Sequence, residues 1–179
     1  MRIRRATADD AEAIAAVHVR AWQQTYRGIL PDEFLDGLSP AEWAIGRRRG
    51  LERNPNPTSC FVVETDGGDI IAFALCGANR TTDLPFKGEI LAIYVLAERQ
   101  NQGLGTRLMR ACVGELAERG LASMVLWVAE ANSRARSFYE RLGGRFVGRK
   151  TDSVGGIDLA EVAYGWPALP TIAEDVAHR

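Results

Sequence analysis

The chain contains 179 residues, of which 46% are hydrophobic and 25% are charged. This length suits one compact α/β domain with a full core, because domains commonly hold roughly 100 to 200 residues. The formal net charge of −1 argues against a general binder of nucleic acids or anionic membranes. No run of about 18 apolar residues and no basic-then-apolar leader occurs, so we expect a cytoplasmic protein with no membrane partner.

Neither a metal site nor a hydrolytic triad is expected, because the chain contains only 2 histidines. A zinc site needs several ligands close in space, and a Ser-His-Asp triad needs a well-placed imidazole. His18 falls within a helical pattern, and we interpret it as a partly buried packing residue. Cys60, Cys76 and Cys112 form neither a metal pair nor an even disulfide set, which predicts reduced core thiols.

The N-terminal part of the chain alternates a strand with helical patterns. Residues 3–5 are a plausible first strand, and the apolar spacing over residues 11–22 predicts a helix. The segment 23–31 loses this period, which predicts a loop leading to a second helical region. The arginine run 47–49 is predicted to be a solvated helix end.

Two aromatic residues, Trp22 and Tyr26, stand where the predicted helix meets the predicted loop. Aromatic side chains at such positions are more often packing residues than ligand contacts. A pocket-lining role for both residues remains open beside the packing interpretation.

The middle of the chain predicts a hairpin and then a central strand. The apolar runs 61–64 and 70–75 are separated by Asp-Gly-Gly-Asp, which is typical of a hairpin connection. The segment 79–85 is polar and predicts a loop. Residues 90–95 are apolar and rich in β-branched and aromatic side chains, which indicates a strand buried on both faces.

Gly103 and Gly105 follow this strand and precede a helical pattern over residues 104–116. Glycine lets the backbone approach a ligand closely, and the first N–H groups of a helix carry partial positive charge. The turn is therefore a candidate seat for a phosphate group. A Walker loop is excluded because no lysine follows the glycines, and the dinucleotide fingerprint lacks its third glycine at Leu108.

The last third of the chain predicts a buried strand over residues 124–128 and a short helix over residues 132–142. Asn132 suits a helix cap, and the following glycines suit a helix end. C-terminal strands are expected near Gly155 and Ile157.

The hexapeptide Gln100-Asn101-Gln102-Gly103-Leu104-Gly105 and the segment after it together resemble the GCN5-related N-acetyltransferase (GNAT) family. In that family a central strand precedes Gln/Arg-x-x-Gly-x-Gly/Ala, a further strand, an Asn and Phe-Tyr-x-x-Leu-Gly, and the same order occurs here. The match covers residues 58–146 with defined motifs. It implies a single α/β domain over residues 1–166 with a mixed, splayed central sheet flanked by helices. A C-terminal tail would follow over residues 167–179.

The resemblance implies acetyl-CoA as the acetyl donor and no metal. Pantetheine would lie in the gap between strands 90–95 and 124–128, and the pyrophosphate would lie on the N–H groups of residues 102–106. The cofactor-binding residues implied in this way are Ile93, Tyr94, Val95, Gln100, Asn101, Gln102, Gly103, Leu104, Gly105, Thr106, Asn132, Ala135 and Phe138.

The implied reaction is direct acetyl transfer, within a ternary complex, to a primary amine of a small molecule or peptide. By analogy with the family, Tyr139 is the candidate general acid. The resemblance also makes Glu89 the candidate base, because it lies 14 positions before Gly103, the offset at which the histone-acetylating branch of the family carries its catalytic glutamate. The alternative is that Glu89 is a strand-end surface acid. Trp22 and Tyr26 would line the acceptor pocket.

Two other functions remain open for the same fold. One is a non-catalytic CoA-binding regulatory module, and the other is an acyltransferase for a longer acyl-CoA. No nucleic-acid partner is expected, and a homodimer is suggested only by the frequency of symmetric oligomers.

Overall fold

The computed structural model describes residues 1–53, 55–81 and 83–172. Its strands are β1 (Arg2–Arg5), β2 (Thr58–Glu64), β3 (Ile70–Ala78), β4 (Gly88–Val95), β5 (Met124–Ala129), β6 (Arg145–Val154) and β7 (Ile157–Trp166). Its α-helices are α1 (Ala11–Tyr26), α2 (Asp32–Asp36), α3 (Pro40–Glu52), α4 (Leu104–Glu118) and α5 (Ser133–Arg141). The strands form one mixed sheet in the order β1-β2-β3-β4-β5-β7-β6.

The sheet divides at its centre. β4 and β5 run parallel and pair only at Gly88–Met124, Glu89–Val125 and Ile90–Leu126. Beyond these pairs β4 stays bonded to β3 and β5 stays bonded to β7, so each strand presents an open backbone edge to the gap. The predicted splayed α/β sheet is confirmed.

A bulge in β4 explains where the strands separate. Leu75 of β3 pairs with Ala92, whereas the next residue, Cys76, pairs with Ile90. Leu91 is therefore an extra residue in β4, and such an insertion bends a strand and increases its local twist. Pairing with β5 ends at Ile90, immediately before the extra residue.

Helices cover both faces of this sheet. On one face His18 of α1 packs against Phe73 of β3, with ring centroids 5.0 Å apart. On the other face Cys76 Sγ lies 3.9 Å from the carbonyl oxygen of Cys112 in α4. Cys60, Cys76 and Cys112 are buried free thiols, as predicted.

One predicted boundary is wrong. The segment 23–31 was expected to be a loop, but α1 continues through Tyr26. Tyr26 is buried in a second apolar cluster with Leu35 and Leu159. Burial against these distant residues stabilises the last helical turn even though the local apolar period is lost.

The described part of the predicted tail, residues 167–172, contacts the domain. Leu169 N donates to Ala122 O at 3.0 Å, and Arg110 Nε donates to Ile172 O at 3.1 Å. Residues 173–179 of that predicted tail lie outside the described residues. None of the helices in the described ranges is long and apolar enough to cross a membrane.

Candidate active site

A cavity of about 540 Å³, here called the splay cavity, lies where β4 and β5 separate. Its walls come from both strands, the turn before α4, the helix α5 and the C-terminal end of α1. The predicted site residues that line it are Tyr26, Ile93, Tyr94, Val95, Gln100, Asn101, Gly103, Leu104, Gly105, Thr106, Asn132, Ala135, Phe138 and Tyr139. Three predicted residues, Trp22, Glu89 and Gln102, do not line it.

The turn before α4 has the geometry of an anion seat. Gly103 is the N-cap with φ 73°, in the left-handed region that glycine adopts without strain. The first hydrogen bond of the helix runs from Arg107 N to Gly103 O at 3.0 Å. The N–H groups of residues 104–106 precede this bond and have no acceptor within the helix. Together with the helix dipole they favour a negatively charged group.

Gly105 permits a close contact between α4 and α5. A Cβ atom at this position would lie 3.3 Å from Cζ of Phe138. The Phe138 ring of α5 therefore packs directly on the first turn of α4. This contact joins the two segments that carry the family motifs.

Polar side chains fix these segments to one another. Gln100 Nε2 donates to the carbonyl oxygen of Val95 at 3.0 Å, which ties the turn to β4. Asn132 Oδ1 accepts from Ala135 N at 3.1 Å and so caps α5, and Arg134 Nη2 donates to Asn101 Oδ1 at 3.0 Å. The capping interpretation of Asn132 is confirmed, and its side chain also lines the splay cavity.

Sequence analysis missed two cationic residues beside the anion seat. Arg99 and Arg134 line the splay cavity next to Gln100 and Asn101. A guanidinium group binds phosphate oxygens through paired N–H donors. The available signal was their position directly beside motif residues in a chain with 20 arginines and 2 lysines.

Tyr139 lies in the wall of the splay cavity and is 6% exposed. Within the described residues its hydroxyl makes no hydrogen bond. Burial, with a smaller effect of nearby Tyr26, raises the pKa of Tyr139 well above its ordinary value. The hydroxyl is protonated at neutral pH, as tyrosine ordinarily is, and the raised pKa makes it a weaker acid, so it would give its proton only to a strongly basic group bound in the cavity.

Tyr94 connects the two predicted acceptor residues. Trp22 Nε1 donates to Tyr94 Oη at 3.0 Å, and the hydroxyl oxygens of Tyr26 and Tyr94 are 3.4 Å apart. Tyr26 lines the splay cavity, whereas Trp22 lies behind Tyr94 and lines a separate cavity between α1 and α3. The two residues therefore do not share a wall of the splay cavity.

Glu89 is buried, with 2% exposure, so its interpretation as a surface acid is wrong. Its carboxylate accepts from the backbone N of Arg80 at 3.0 Å, from Arg80 Nε at 3.1 Å and from Arg80 Nη2 at 2.8 Å. It lies one residue before the end of the β4–β5 pairing. Glu89 is thus next to the splay cavity without lining it.

The face of β5, β7 and β6 beyond the gap carries further polar groups. Trp127 lines the splay cavity, and its Nε1 is the one buried side-chain polar atom of the described residues without a hydrogen-bond partner. Lys150 Nζ lies 4.6 Å from the centroid of the Trp127 ring and 3.2 Å from Glu161 Oε2. Within the described residues, no group of three or more His, Cys, Asp or Glu residues could hold a metal ion.

Comparisons with known proteins agree on one family. The model of the acetyltransferase (GNAT) family matches residues 17–144. The uncharacterized N-acetyltransferase YuaI of Bacillus subtilis is 33% identical over 174 residues, which are 95% of each chain.

Solved structures share the fold. The PaiA N-acetyltransferase of Thermoplasma acidophilum, in complex with coenzyme A, aligns with a TM-score of 0.70 at 20% identity, over 92% of this chain and 98% of that one. The yncA protein of Salmonella typhimurium, with its cofactor acetyl-CoA, gives a TM-score of 0.69 at 21% identity, over 99% of this chain and 98% of that one. Together with the splay and the turn before α4, these matches show that the chain belongs to the GNAT family of acetyltransferases.

Proposed function

We propose that this protein transfers the acetyl group of acetyl-CoA directly to a primary amine of a small molecule or a peptide. The observation that carries the proposal is the splay cavity, which joins an anion seat, two open strand edges and a buried, protonated tyrosine in one space. The coenzyme A in PaiA and the acetyl-CoA in yncA, two proteins of the same fold, support acetyl-CoA as the donor.

The cofactor would extend along the open edge of β4. Pantetheine carries amide groups that can pair with free strand backbone, so Ile93 and Tyr94 would bind it as an added strand. The Val95 carbonyl already accepts a hydrogen bond from Gln100 and would contribute less. The pyrophosphate would bind the N–H groups of residues 104–106, with Arg99 and Arg134 neutralising its charge.

In the proposed reaction the neutral amine attacks the thioester carbonyl. The C–N bond forms, the C–S bond breaks, and the electron pair of that bond leaves with sulfur. Tyr139 donates its proton to the departing thiolate, because its hydroxyl is protonated, unbonded and placed in the cavity wall. Solvent then reprotonates the tyrosine.

The amine must lose a proton as it reacts, and we propose that water carries this proton to Glu89. A direct transfer is disfavoured, because Glu89 does not line the splay cavity and Arg80 binds its carboxylate. Because Glu89 lies one residue from the end of the β4–β5 pairing, next to the cavity, a short water relay would connect it to the amine.

The acceptor would approach past Tyr26, which lines the cavity at the end of α1. An aromatic wall attracts a cationic ammonium group before it loses its proton.

The test is an initial-rate study of the purified protein with acetyl-CoA and a library of amines, followed by mass spectrometry of the products. Double-reciprocal lines that intersect are expected for a ternary complex, whereas parallel lines would indicate a covalent acetyl-enzyme. CoA binding without turnover of any amine would favour the regulatory module. A higher kcat/KM with butyryl-CoA than with acetyl-CoA would favour the acyltransferase for longer chains.

A further inference from the structure

A second cavity of about 510 Å³ lies between α1, α3 and the sheet, and we call it the helix cavity. The proposed acetyl transfer makes no use of it. Residues that line it include His18, Trp22, Trp43, Arg47, Gly50 and Leu75.

Arg47 departs from the prediction that residues 47–49 form a solvated helix end. Arg48 turns outward and donates to Glu12 at 2.9 Å, whereas Arg47 turns inward. The guanidinium carbon of Arg47 lies 5.1 Å from the centroid of the Phe73 ring, and Arg47 Nη2 lies 3.5 Å from His18 Nδ1. Arg47 is therefore a half-buried cation in the wall of the helix cavity.

No carboxylate of the described residues forms an ion pair with Arg47, whereas the adjacent Arg48 pairs with Glu12. Burial lowers the pKa of Arg47, and burial also lowers the pKa of His18 to about 3, so the imidazole is neutral. Withdrawing a cation from water without a counter-charge is unfavourable. The cavity thus carries a positive charge that no described group neutralises.

The remaining walls suit a flat apolar body. The rings of Trp22 and Trp43 meet edge to face, with centroids 5.2 Å apart. Gly46 and Gly50 of α3 also line the cavity, and a Cβ atom at either position would meet nothing within 4 Å. This side of the helix leaves the space open.

We propose that the helix cavity binds a small aromatic carboxylate, with its carboxylate on Arg47 and its ring against Trp43 and Trp22. The guanidinium fork matches a carboxylate through two parallel N–H···O bonds, and aromatic rings pack well edge to face. This second site is distinct from the splay cavity. Trp22 lines the helix cavity, Tyr94 lines the splay cavity, and the hydrogen bond between their side chains lies between the two.

The test is a fluorine-19 NMR titration with 4-fluorobenzoate as the anionic probe and 4-fluorobenzamide as its uncharged match. We expect 4-fluorobenzoate to bind at least about tenfold more tightly than the amide. Arg47→Gln should weaken binding of the carboxylate by at least about tenfold, and saturating coenzyme A should leave its dissociation constant unchanged.

A second variant guards against misfolding of Arg47→Gln. Gly50→Leu fills the open space without removing a side-chain contact, and it should abolish binding of 4-fluorobenzoate. Gly114→Leu is its control, since Gly114 is an exposed glycine of α4 with open space around it, outside this cavity. The proposal is overturned by equal affinity for the two probes, by equal affinity of the wild-type protein and Gly50→Leu, by competition with coenzyme A, or by no binding.

Discussion

The two sides of the splay cavity are built in different ways. The proposed cofactor side comes from residues 93–106 and 132–139, two short segments that would bind the cofactor mainly through backbone groups and helix caps. The proposed acceptor side combines the end of α1 and Trp127, which line the cavity, with the Glu89–Arg80 ion pair, which does not line it. Backbone binding tolerates many side chains but needs a fixed conformation, whereas side-chain binding can change with single substitutions. We therefore expect the cofactor side to share the features of the family and the acceptor side to set the specificity of this protein.

The largest effect is expected from Tyr139→Phe on the cofactor side. Proton donation by a positioned group contributes about 10² to 10⁴ in rate, so kcat should fall by a factor in that range. The affinity for acetyl-CoA should hardly change, because the ring and its packing remain. The measurement is kcat with a good amine, together with a melting curve. Full activity of a folded variant would assign the proton to water and leave the cofactor assignment intact.

On the acceptor side, Glu89→Gln is expected to lower kcat by about 10², the lower end of the effect of proton transfer. Arg80→Met is the matched control, because it breaks the same ion pair and keeps the carboxylate. Both variants should lose stability, since Glu89 is buried and bonded to Arg80. If kcat falls equally in the two variants, Glu89 serves only to hold this pair in place.

Returning to the cofactor side, Gly105→Val should raise the dissociation constant of coenzyme A at least about tenfold, or about 1.4 kcal/mol. The new side chain would press against Phe138, whose Cζ already lies 3.3 Å from the position of a Cβ atom. Isothermal titration calorimetry measures the effect. Gly114→Val is the control, because Gly114 is an exposed glycine of the same helix and a Cβ atom added there would meet nothing within 4 Å. Equal affinities of the two folded variants would contradict the anion seat.

An effect of similar size, on stability and not on binding or catalysis, is expected in the pH dependence of unfolding. The pKa of His18 is lowered to about 3 by burial, so between pH 6.5 and 3 the unfolded chain binds a proton that the native state does not. The free energy of unfolding should therefore fall as the pH drops below 6.5, by about 1 to 2 kcal/mol at pH 5.

Urea unfolding of the wild type and of His18→Phe at pH 7.5 and 5 measures this contribution. The free energy of unfolding of the His18→Phe variant should not fall in this way between pH 7.5 and 5. Asp10 and Glu115, whose pKa values are lowered to about 2 by Arg4 and by hydrogen bonds from Ser59 and Arg5 respectively, contribute stability that is lost only below about pH 4.5. An identical fall in both proteins would mean that His18 is protonated in the native state.

The features that the sequence predicts correctly are those formed by neighbouring residues, and the features that it does not predict depend on distant residues. The turn at Gly103 and the cap at Asn132 depend on neighbouring residues, so local sequence patterns predict them. The length of α1 was predicted wrongly because Tyr26 is stabilised by Leu159, which is far away along the chain. Likewise the inward orientation of the Arg47 side chain depends on its contact with Phe73 of β3, and no local sequence pattern predicts it.

The short pairing of β4 with β5 has a consequence for the order of events during turnover. Only three residue pairs join the two halves of the sheet, and an acetyl-pantetheine chain in the gap would act as an intervening strand. The surface on which the acceptor amine would bind is then complete only after the donor has bound. The enzyme should accordingly follow an ordered sequence, with acetyl-CoA as the leading substrate and free coenzyme A as the last product to depart.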